Sequence, residues 1–169
     1  MIRKAIESDI DKIEKSYIEL LRYEKKYRSN FNWILDVYLT RKVAVNSFNE
    51  STLYVLDDND EVCASMILNQ IQLEEYNVIN WKYSADSEEV LVIHTLCVPP
   101  SKAGKGYGKM MICHAIEKAK EMKCKSIRLD TFDGNKVAAN LYRGLGFYIQ
   151  ERLRYCYREL FENSKYFLK

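Results

Sequence analysis

Proline and glycine are scarce in this chain, with two and six residues among 169. That scarcity excludes collagen-like repeats and Pro/Gly-rich low-complexity sequence. Both prolines and half of the glycines fall in one segment, LCVPPSKAGKGYGKMM, which holds Pro99, Pro100, Gly104, Gly106 and Gly108. The residues that most strongly shape a backbone are therefore concentrated in one loop.

The chain also lacks the residue sets of a disulfide framework or a zinc site. Its cysteines are odd in number, at 63, 97, 113, 124 and 156, without a CxxC pair, and only two histidines accompany them. We expect reduced thiols and no metal. The segment MIRKAIESDIDKIEK has no apolar stretch after its basic residues, so we expect no signal peptide. No run approaches the roughly 18 apolar residues of a membrane span. These absences predict a cytoplasmic protein without membrane partners.

Charge of one sign is lacking as well, since 26 Lys and Arg against 24 Asp and Glu leave 26 − 24 = +2. This balance argues against nucleic acid as a partner and favours a small molecule. Hydrophobic residues make up 47% and charged residues 30%, which is typical of a globular protein. The length suits one domain over residues 1–169.

The hydrophobic pattern predicts an α/β fold with a mixed sheet flanked by helices. Strands are predicted at Ile2–Ala5, on both sides of Asp57–Asp60 as a hairpin, at Glu89–Val98, at Ser126–Leu129 and at Phe147–Tyr155. Helices are predicted after a Ser8/Asp11 capping box, at about Trp33–Ala44, after the glycine-rich loop with Met111, Ala115, Ile116, Ala119 and Met122 on its buried side, and at Asn135–Leu145.

The glycine-rich loop, between a buried strand and a helix, predicts an anion site. Glycine permits positive φ and close backbone approach, and a helix N-terminus offers unpaired amides with the positive end of its dipole. Lys102, Lys105 and Lys109 add positive charge. The pattern favours a phosphate-containing cofactor.

Two common phosphate motifs do not fit this loop. A P-loop requires GxxxxGK followed by Ser or Thr, which the chain lacks. A dinucleotide fold requires GxGxxG directly after a strand, but position 109 is Lys109 and five residues separate the strand from the first glycine. Asp130 has the spacing of a ribose ligand, yet the rest of that fingerprint fails.

The loop resembles motif A of the GNAT acyltransferase superfamily, (Gln/Arg)-x-x-Gly-x-(Gly/Ala), within about residues 90–122. NKVAANLYRGLGF, within about 135–148, is similar to motif B, N-x-x-A-x-x-L-Y-x-x-x-G-F. The resemblance implies acetyl-CoA bound where two parallel strands, Val90–Val98 and Ile127–Asp130, splay apart. Ala103 departs from the family's Gln/Arg, so cofactor affinity is expected to depend on Lys102 or Lys105.

The resemblance also implies the site residues of an N-acetyltransferase. Cofactor contacts are expected from Leu96, Cys97, Val98, Ala103, Gly104, Lys105, Gly106, Tyr107, Gly108, Lys109 and Asn135. The Cys97 amide is expected to stabilise the oxyanion. Tyr142, at the motif-B tyrosine position, is expected from the resemblance to be the general acid toward the CoA thiolate. Asn135 could instead cap its helix.

A general base is needed because only a neutral amine attacks. His94 on the central strand is the first candidate, with Glu89 or a water relay as alternatives; a structural role for His94 also stays open. We expect His114 at the surface. Cys97 is a poor nucleophile, since an apolar strand raises a thiol's pKa.

The amine that accepts the acetyl group is expected to bind near Tyr76, Trp81 and Tyr83. These aromatic residues either line its pocket or form a packed flap. A small-molecule amine is favoured over a protein substrate. An alternative function, a non-catalytic acyl-CoA-binding module, is supported by Ala103. The C-terminal RLRYCYRELFENSKYFLK is a candidate homodimer surface.

Overall fold

The computed structural model describes residues 1–27, 39–132, 134–153 and 158–163. There the chain is an α/β protein with a mixed sheet, as the sequence predicts. The strands are β1 (Ile2–Lys4), β2 (Leu53–Asp58), β3 (Glu61–Asn69), β4 (Val90–Cys97), β5 (Ser126–Phe132), β6 (Tyr148–Leu153) and β7 (Arg158–Asn163). The α-helices are α1 (Ile10–Tyr27), α2 (Arg41–Asn49), α3 (Tyr107–Glu121) and α4 (Lys136–Gly144). Short 3₁₀ segments lie at Glu7–Asp9, Glu74–Val78, Ser87–Glu89 and Pro100–Lys102.

The chain forms two compact units, residues 1–68 with 95–114 and residues 69–94 with 115–169. In the first unit, β1, β2 and β3 are antiparallel neighbours in that order. The hairpin between β2 and β3 turns at Asn59 and Asp60, both with positive φ, as a two-residue hairpin turn requires. The predicted hairpin is therefore confirmed.

The core of the first unit is built on α1. Apolar residues at helical spacing bury one face of α1 against β2, β3 and α2. Its buried members are Ile10, Ile13, Tyr17, Leu20, Leu21, Leu39, Ala44, Leu53, Val55, Val62, Ile67 and Cys97. The periodicity from Ile10 to Leu21 thus identified the core face correctly.

The start of α1 differs from the predicted Ser8/Asp11 capping box. The Asp9 carboxylate accepts a hydrogen bond from the Ile6 amide at 2.9 Å, and the Asp9 amide donates to the Ile6 carbonyl at 2.9 Å. Asp11 is exposed and pairs with Arg41. The capping carboxylate is Asp9, because a 3₁₀ turn precedes the helix and moves its first turn toward the N-terminus.

The second predicted helix is interrupted at Leu39 and extends beyond its predicted end. Leu39 has φ of +53°, which an α-helix does not accommodate, and α2 starts at Arg41 after Thr40. The helix continues to Asn49, beyond the predicted end at Ala44. The predicted start at Trp33 lies outside the described residues.

In the second unit the strand order is β4, β5, β7, β6. β4 is parallel to β5, while β5–β7 and β7–β6 are antiparallel. The registered β4–β5 pairs join Val90–Val92 to Ser126–Arg128, although β4 runs to Cys97 and β5 to Phe132. The parallel pair of β4 and β5 that the family resemblance implies is therefore present.

The structure of this unit differs from the sequence-based prediction at β7 and at Met122. β7 was not predicted as a strand, because its pairing with β5 and β6 comes from tertiary contact rather than a local pattern. β6 begins at Tyr148 and is described to Leu153, so the end predicted at Tyr155 lies outside the described residues. Met122 follows the end of α3 and is exposed, whereas Met111, Ala115, Ile116 and Ala119 are buried as expected.

A partly buried ion pair holds β1 to the start of α1. Arg3 donates to Asp9 Oδ2 at 2.6 Å and to Asp57 Oδ2 at 2.5 Å, and Asp9 is 1% exposed. Burial alone would raise the pKa of Asp9, but hydrogen bonds from Arg3 and the Ile6 amide outweigh it and lower that pKa. The folded protein therefore prefers the ionised carboxylate.

We expect Arg3→Ala to destabilise the fold by about 2–3 kcal/mol, since it leaves Asp9 buried without its cation; Arg3 is partly exposed, which reduces the usual cost. A folded-state pKa below the unfolded one gives stability that is present above about pH 4 and lost as pH falls. Denaturant unfolding of wild type and variant should therefore converge in acid. Arg41→Ala, which removes an exposed arginine from two carboxylates, is the matched control, and an equal loss in both variants would contradict the argument.

Candidate functional site

The glycine-rich loop leads from β4 into α3 with the backbone that the sequence predicts. Gly104 and Gly106 both have φ of +78°, in the region that favours glycine. A Cβ at either position would meet no atom within 4 Å. The helix α3 begins at Tyr107, and the amides of its first turn have no partners within the helix. The loop thus exposes backbone N–H groups and the positive end of a helix dipole, which suits an anion.

Two contacts fix the start of this loop. The Glu19 carboxylate of α1 accepts from the Ser101 amide at 2.7 Å and from the Ser101 hydroxyl at 3.0 Å. Lys102 pairs with Glu61 at 2.5 Å, and this hydrogen bond raises the pKa of Lys102. Because Glu61 already balances the charge of Lys102, exposed Lys105 is the better candidate for the role that the missing Gln/Arg side chain would take.

A third contact fixes the end of the loop. The Tyr107 hydroxyl donates to Asp58 Oδ2 at 3.1 Å, and Cys63, burial and Asp58 raise the pKa of Tyr107 to about 12. Its phenol therefore faces the β2–β3 hairpin, and the group that Tyr107 offers an anion is its backbone amide. The sequence motif indicates Tyr107 as a cofactor contact, but it does not indicate Asp58, which lies 49 positions away.

The last residues of β4 present backbone rather than reactive side chains. Thr95 has φ of +51°, which is unusual for a β-branched residue and breaks the regular pleat of β4 ahead of Leu96 and Cys97. Cys97 is fully buried, and burial, with the nearby Glu19 charge, raises the pKa of its thiol. The thiol is thus poorly suited to act as a nucleophile, as expected from the sequence. Leu96 and Val98 are half-buried.

Tyr142 lies on the buried side of α4. Its ring packs on Phe147 with centroids 5.9 Å apart, and 6% of the residue is exposed. Burial, followed by the negative charge of Asp130, raises the pKa of Tyr142. The phenol therefore keeps its proton at neutral pH, as a general acid must.

His94 of β4 is half-buried and hydrogen-bonded through one ring nitrogen. Nε2 lies 2.9 Å from Asn69 Oδ1 and 3.2 Å from the Ile71 carbonyl oxygen. Burial lowers the pKa of His94, while Asp130 and the Ile71 carbonyl oppose that change. The ring is therefore neutral at pH 7, which is the form of a general base.

Asp130 is the residue of this region that sequence reasoning missed. It accepts a hydrogen bond from the Tyr76 hydroxyl at 2.9 Å, and its charge acts on both His94 and Tyr142. The sequence showed Asp130 only as a candidate ribose ligand in a fingerprint that failed. Its position among the candidate acid and base comes from β5, β4 and α4 meeting in the fold.

The aromatic segment expected to bind the acceptor is packed against its own unit. Tyr76 is buried, and the Trp81 indole N–H donates to the Tyr76 carbonyl at 3.0 Å. The Arg128 guanidinium stacks 4.2 Å from the Trp81 ring centroid and donates to the Tyr83 carbonyl at 3.2 Å. These contacts favour the packed flap over an open pocket, with Arg128 as the stacked cation.

The remaining candidates have structural partners. The Asn135 side chain caps α4 by accepting from the Ala138 amide at 3.0 Å, so the alternative capping role is confirmed. Glu89 pairs with Lys125 at 2.7 Å, and this contact together with the Asp86 amide lowers the pKa of Glu89 and makes it a weaker base than His94. His114 is half-buried beside Tyr54, with ring centroids 5.3 Å apart, so its expected surface position was wrong.

No group of three or more His, Cys, Asp or Glu in the described ranges is placed to hold a metal ion. Among the described helices, none has the length and apolarity of a membrane span.

Comparison with known proteins identifies the family and the fold of the chain. Residues 10–147 match the model of the acetyltransferase (GNAT) family. The chain is 27% identical over 154 residues to the thialysine N-epsilon-acetyltransferase of Bos taurus, covering 86% of this chain and 82% of that protein. A GNAT-family acetyltransferase structure from Streptococcus agalactiae shares the fold with TM-score 0.84 at 20% identity, covering 98% and 95% of the two chains. A PaiA N-acetyltransferase from Thermoplasma acidophilum in complex with coenzyme A shares it with TM-score 0.73 at 15% identity, covering 97% and 98%.

Proposed function

The chain belongs to the GNAT acetyltransferase family, and on that premise we propose that it transfers the acetyl group of acetyl-CoA to a primary amine. The observation that carries this proposal is the loop from Pro99 to Tyr107, with positive φ at Gly104 and Gly106 directly before a helix N-terminus. Such a backbone accepts a pyrophosphate. Acetyl-CoA supplies an activated acetyl thioester to the reaction, and a relative of the same fold was crystallised with coenzyme A.

The backbone of Leu96, Cys97 and Val98 is proposed to pair with the pantetheine arm as an added strand would. The irregularity at Thr95 supports this role, since a positive φ interrupts the regular alternation of amide directions along β4. The Cys97 amide is the proposed donor to the oxyanion that forms when the amine attacks the thioester carbon.

Proton transfer is assigned to His94 and Tyr142. The amine nitrogen forms a bond to the acetyl carbon, and the proton that it loses passes to neutral His94. The carbon–sulfur bond breaks with its electron pair on sulfur, and Tyr142 donates a proton to the departing thiolate. The lowered pKa of His94 supports its assignment as the base, and the buried, protonated phenol of Tyr142 supports its assignment as the acid.

Calorimetry with acetyl-CoA tests the cofactor half of this proposal. We expect saturable binding at one site, since the loop and its Glu19 and Glu61 contacts are already in place. Desulfo-CoA retains the pyrophosphate and should bind comparably, whereas pantetheine alone should bind far more weakly. Absence of detectable heat at near-millimolar acetyl-CoA would contradict the proposal.

The lowered pKa of His94 predicts the pH dependence of catalysis. The base form is populated above the pKa, so kcat/KM should be level at pH 7 and fall only below about pH 6.5, the ordinary histidine value. We expect His94→Gln to lower kcat by about 100-fold and to remove the acidic limb, as loss of a general base does. His114→Gln, the other histidine, should keep both rate and profile. An acidic limb that persists in His94→Gln would assign the base elsewhere.

A further inference from the structure

We propose that Asn69 is a positioning residue, which with the Ile71 carbonyl keeps the proton of His94 on Nε2 and so leaves the lone pair on Nδ1 to accept a proton from the amine. The inference rests on the proposed function for the role of His94, while the placement of the proton rests on geometry alone. Asn69 is the last residue of β3, 25 positions before His94, and no sequence motif joins them.

The orientation of the Asn69 amide is fixed by a second contact. Its Oδ1 accepts a hydrogen bond from the Ile71 backbone N–H at 2.9 Å. A backbone N–H can only donate, so the atom beside it is the oxygen and not the side-chain nitrogen. The group that Asn69 presents to His94 at 2.9 Å is therefore an acceptor.

The second partner of His94 leads to the same tautomer. The Ile71 carbonyl oxygen, 3.2 Å from Nε2, has no proton to donate. Because both partners of Nε2 are hydrogen-bond acceptors, Nε2 must carry the hydrogen in the neutral ring. Nδ1 then holds the lone pair, because a neutral imidazole has one donor and one acceptor nitrogen.

The charges around His94 are compatible with this arrangement. Asn69 and Ile71 present uncharged oxygens, and the charged group acting on the ring is Asp130 of β5. Asp130 stabilises the imidazolium that forms once Nδ1 has taken a proton. Asn69 therefore determines which ring nitrogen accepts the proton, while Asp130 and burial determine the pKa of the ring.

Two variants separate positioning from a general structural role. Asn69→Ala removes one acceptor, so we expect a larger fraction of the Nδ1–H tautomer and a kcat lower by roughly tenfold, with acetyl-CoA affinity unchanged. Asn69→Asp keeps an acceptor and adds a negative charge beside the ring. It should restore the Nε2–H tautomer, raise the pKa of His94 by about one unit and move the acidic limb of kcat/KM upward by the same amount. Asn59→Asp, which adds the same charge at the exposed hairpin turn, is the control and should move neither.

Nitrogen-15 NMR of the histidine rings reads the tautomer without catalysis. The chain has two histidines, and His114→Gln leaves the signals of His94 alone. A dominant Nε2–H tautomer in wild type that is weakened in Asn69→Ala supports the inference. A dominant Nδ1–H tautomer, or a tautomer ratio that Asn69→Ala does not change, overturns it. Absence of acetyl transfer in wild type would refute the proposed function separately, because the NMR result still decides where the proton lies.

Discussion

Tyr142→Phe should lower kcat by about 100-fold and leave the dissociation constant of acetyl-CoA nearly unchanged. General acid catalysis contributes factors of this size, and the substitution removes only the hydroxyl that would protonate the leaving thiolate. The phenylalanine ring fills the same space beside Phe147, so the buried packing of α4 is kept. The effect therefore falls on the chemical step and not on the fold.

The environment of Tyr142 makes this outcome specific. Burial and the charge of Asp130 raise the pKa of the phenol, so it stays protonated across the neutral range and holds a proton for the departing thiolate. Pre-steady-state measurement of thiol release should show slower bond breaking in the variant. Tyr54→Phe removes a half-buried phenol on β2 that packs on His114 and should keep the wild-type rate. Equal rates for Tyr142→Phe and wild type would refute the acid role.

Gly106→Val should weaken acetyl-CoA binding by at least about tenfold. Gly106 has φ of +78°, where an L-residue costs about 1–2 kcal/mol and a β-branched side chain fits poorly. The chain is expected to relieve that strain by moving the backbone directly before α3. The amides at the helix start would then lose the directions that suit a pyrophosphate.

Gly144→Val is the matched control for this variant. Gly144 is the last residue of α4, has no positive φ, and a Cβ there meets nothing within 4 Å, just as at Gly106. The two variants thus differ in backbone strain and not in available space. Calorimetry should show weaker binding for Gly106→Val alone. Unchanged affinity in Gly106→Val would place the pyrophosphate elsewhere.

Local patterns predicted what depends on local chemistry. A nearly continuous apolar run located β4, helical spacing located α3 and the buried face of α1, and the glycines at 104 and 106 predicted the positive φ that the structure has. The motif position of Tyr142 led to a buried phenol beside Phe147. These features are set by neighbours within a few residues along the chain.

Features set by distant partners could not be predicted in this way. The bond between Asn69 and His94 spans 25 positions, and that between Tyr76 and Asp130 spans 54. The strand β7 forms by pairing with β5 and β6, and the cation that stacks on Trp81 is the guanidinium of Arg128. The residue types are compatible with each of these contacts but do not determine the partner, because the partner depends on which elements pack together. Asp130 was visible in the sequence, but only the fold joins it to His94 and Tyr142.

The most direct test of the central claim is acetyl transfer itself, measured as thiol release from acetyl-CoA with a panel of small primary amines and confirmed by the mass of the acetylated product. We expect amine-dependent release of one thiol per acetylated amine, reduced strongly in Tyr142→Phe and in His94→Gln. Tight binding of acetyl-CoA without transfer to any amine, small or peptide, would contradict it and would identify the chain as a non-catalytic acyl-CoA-binding module.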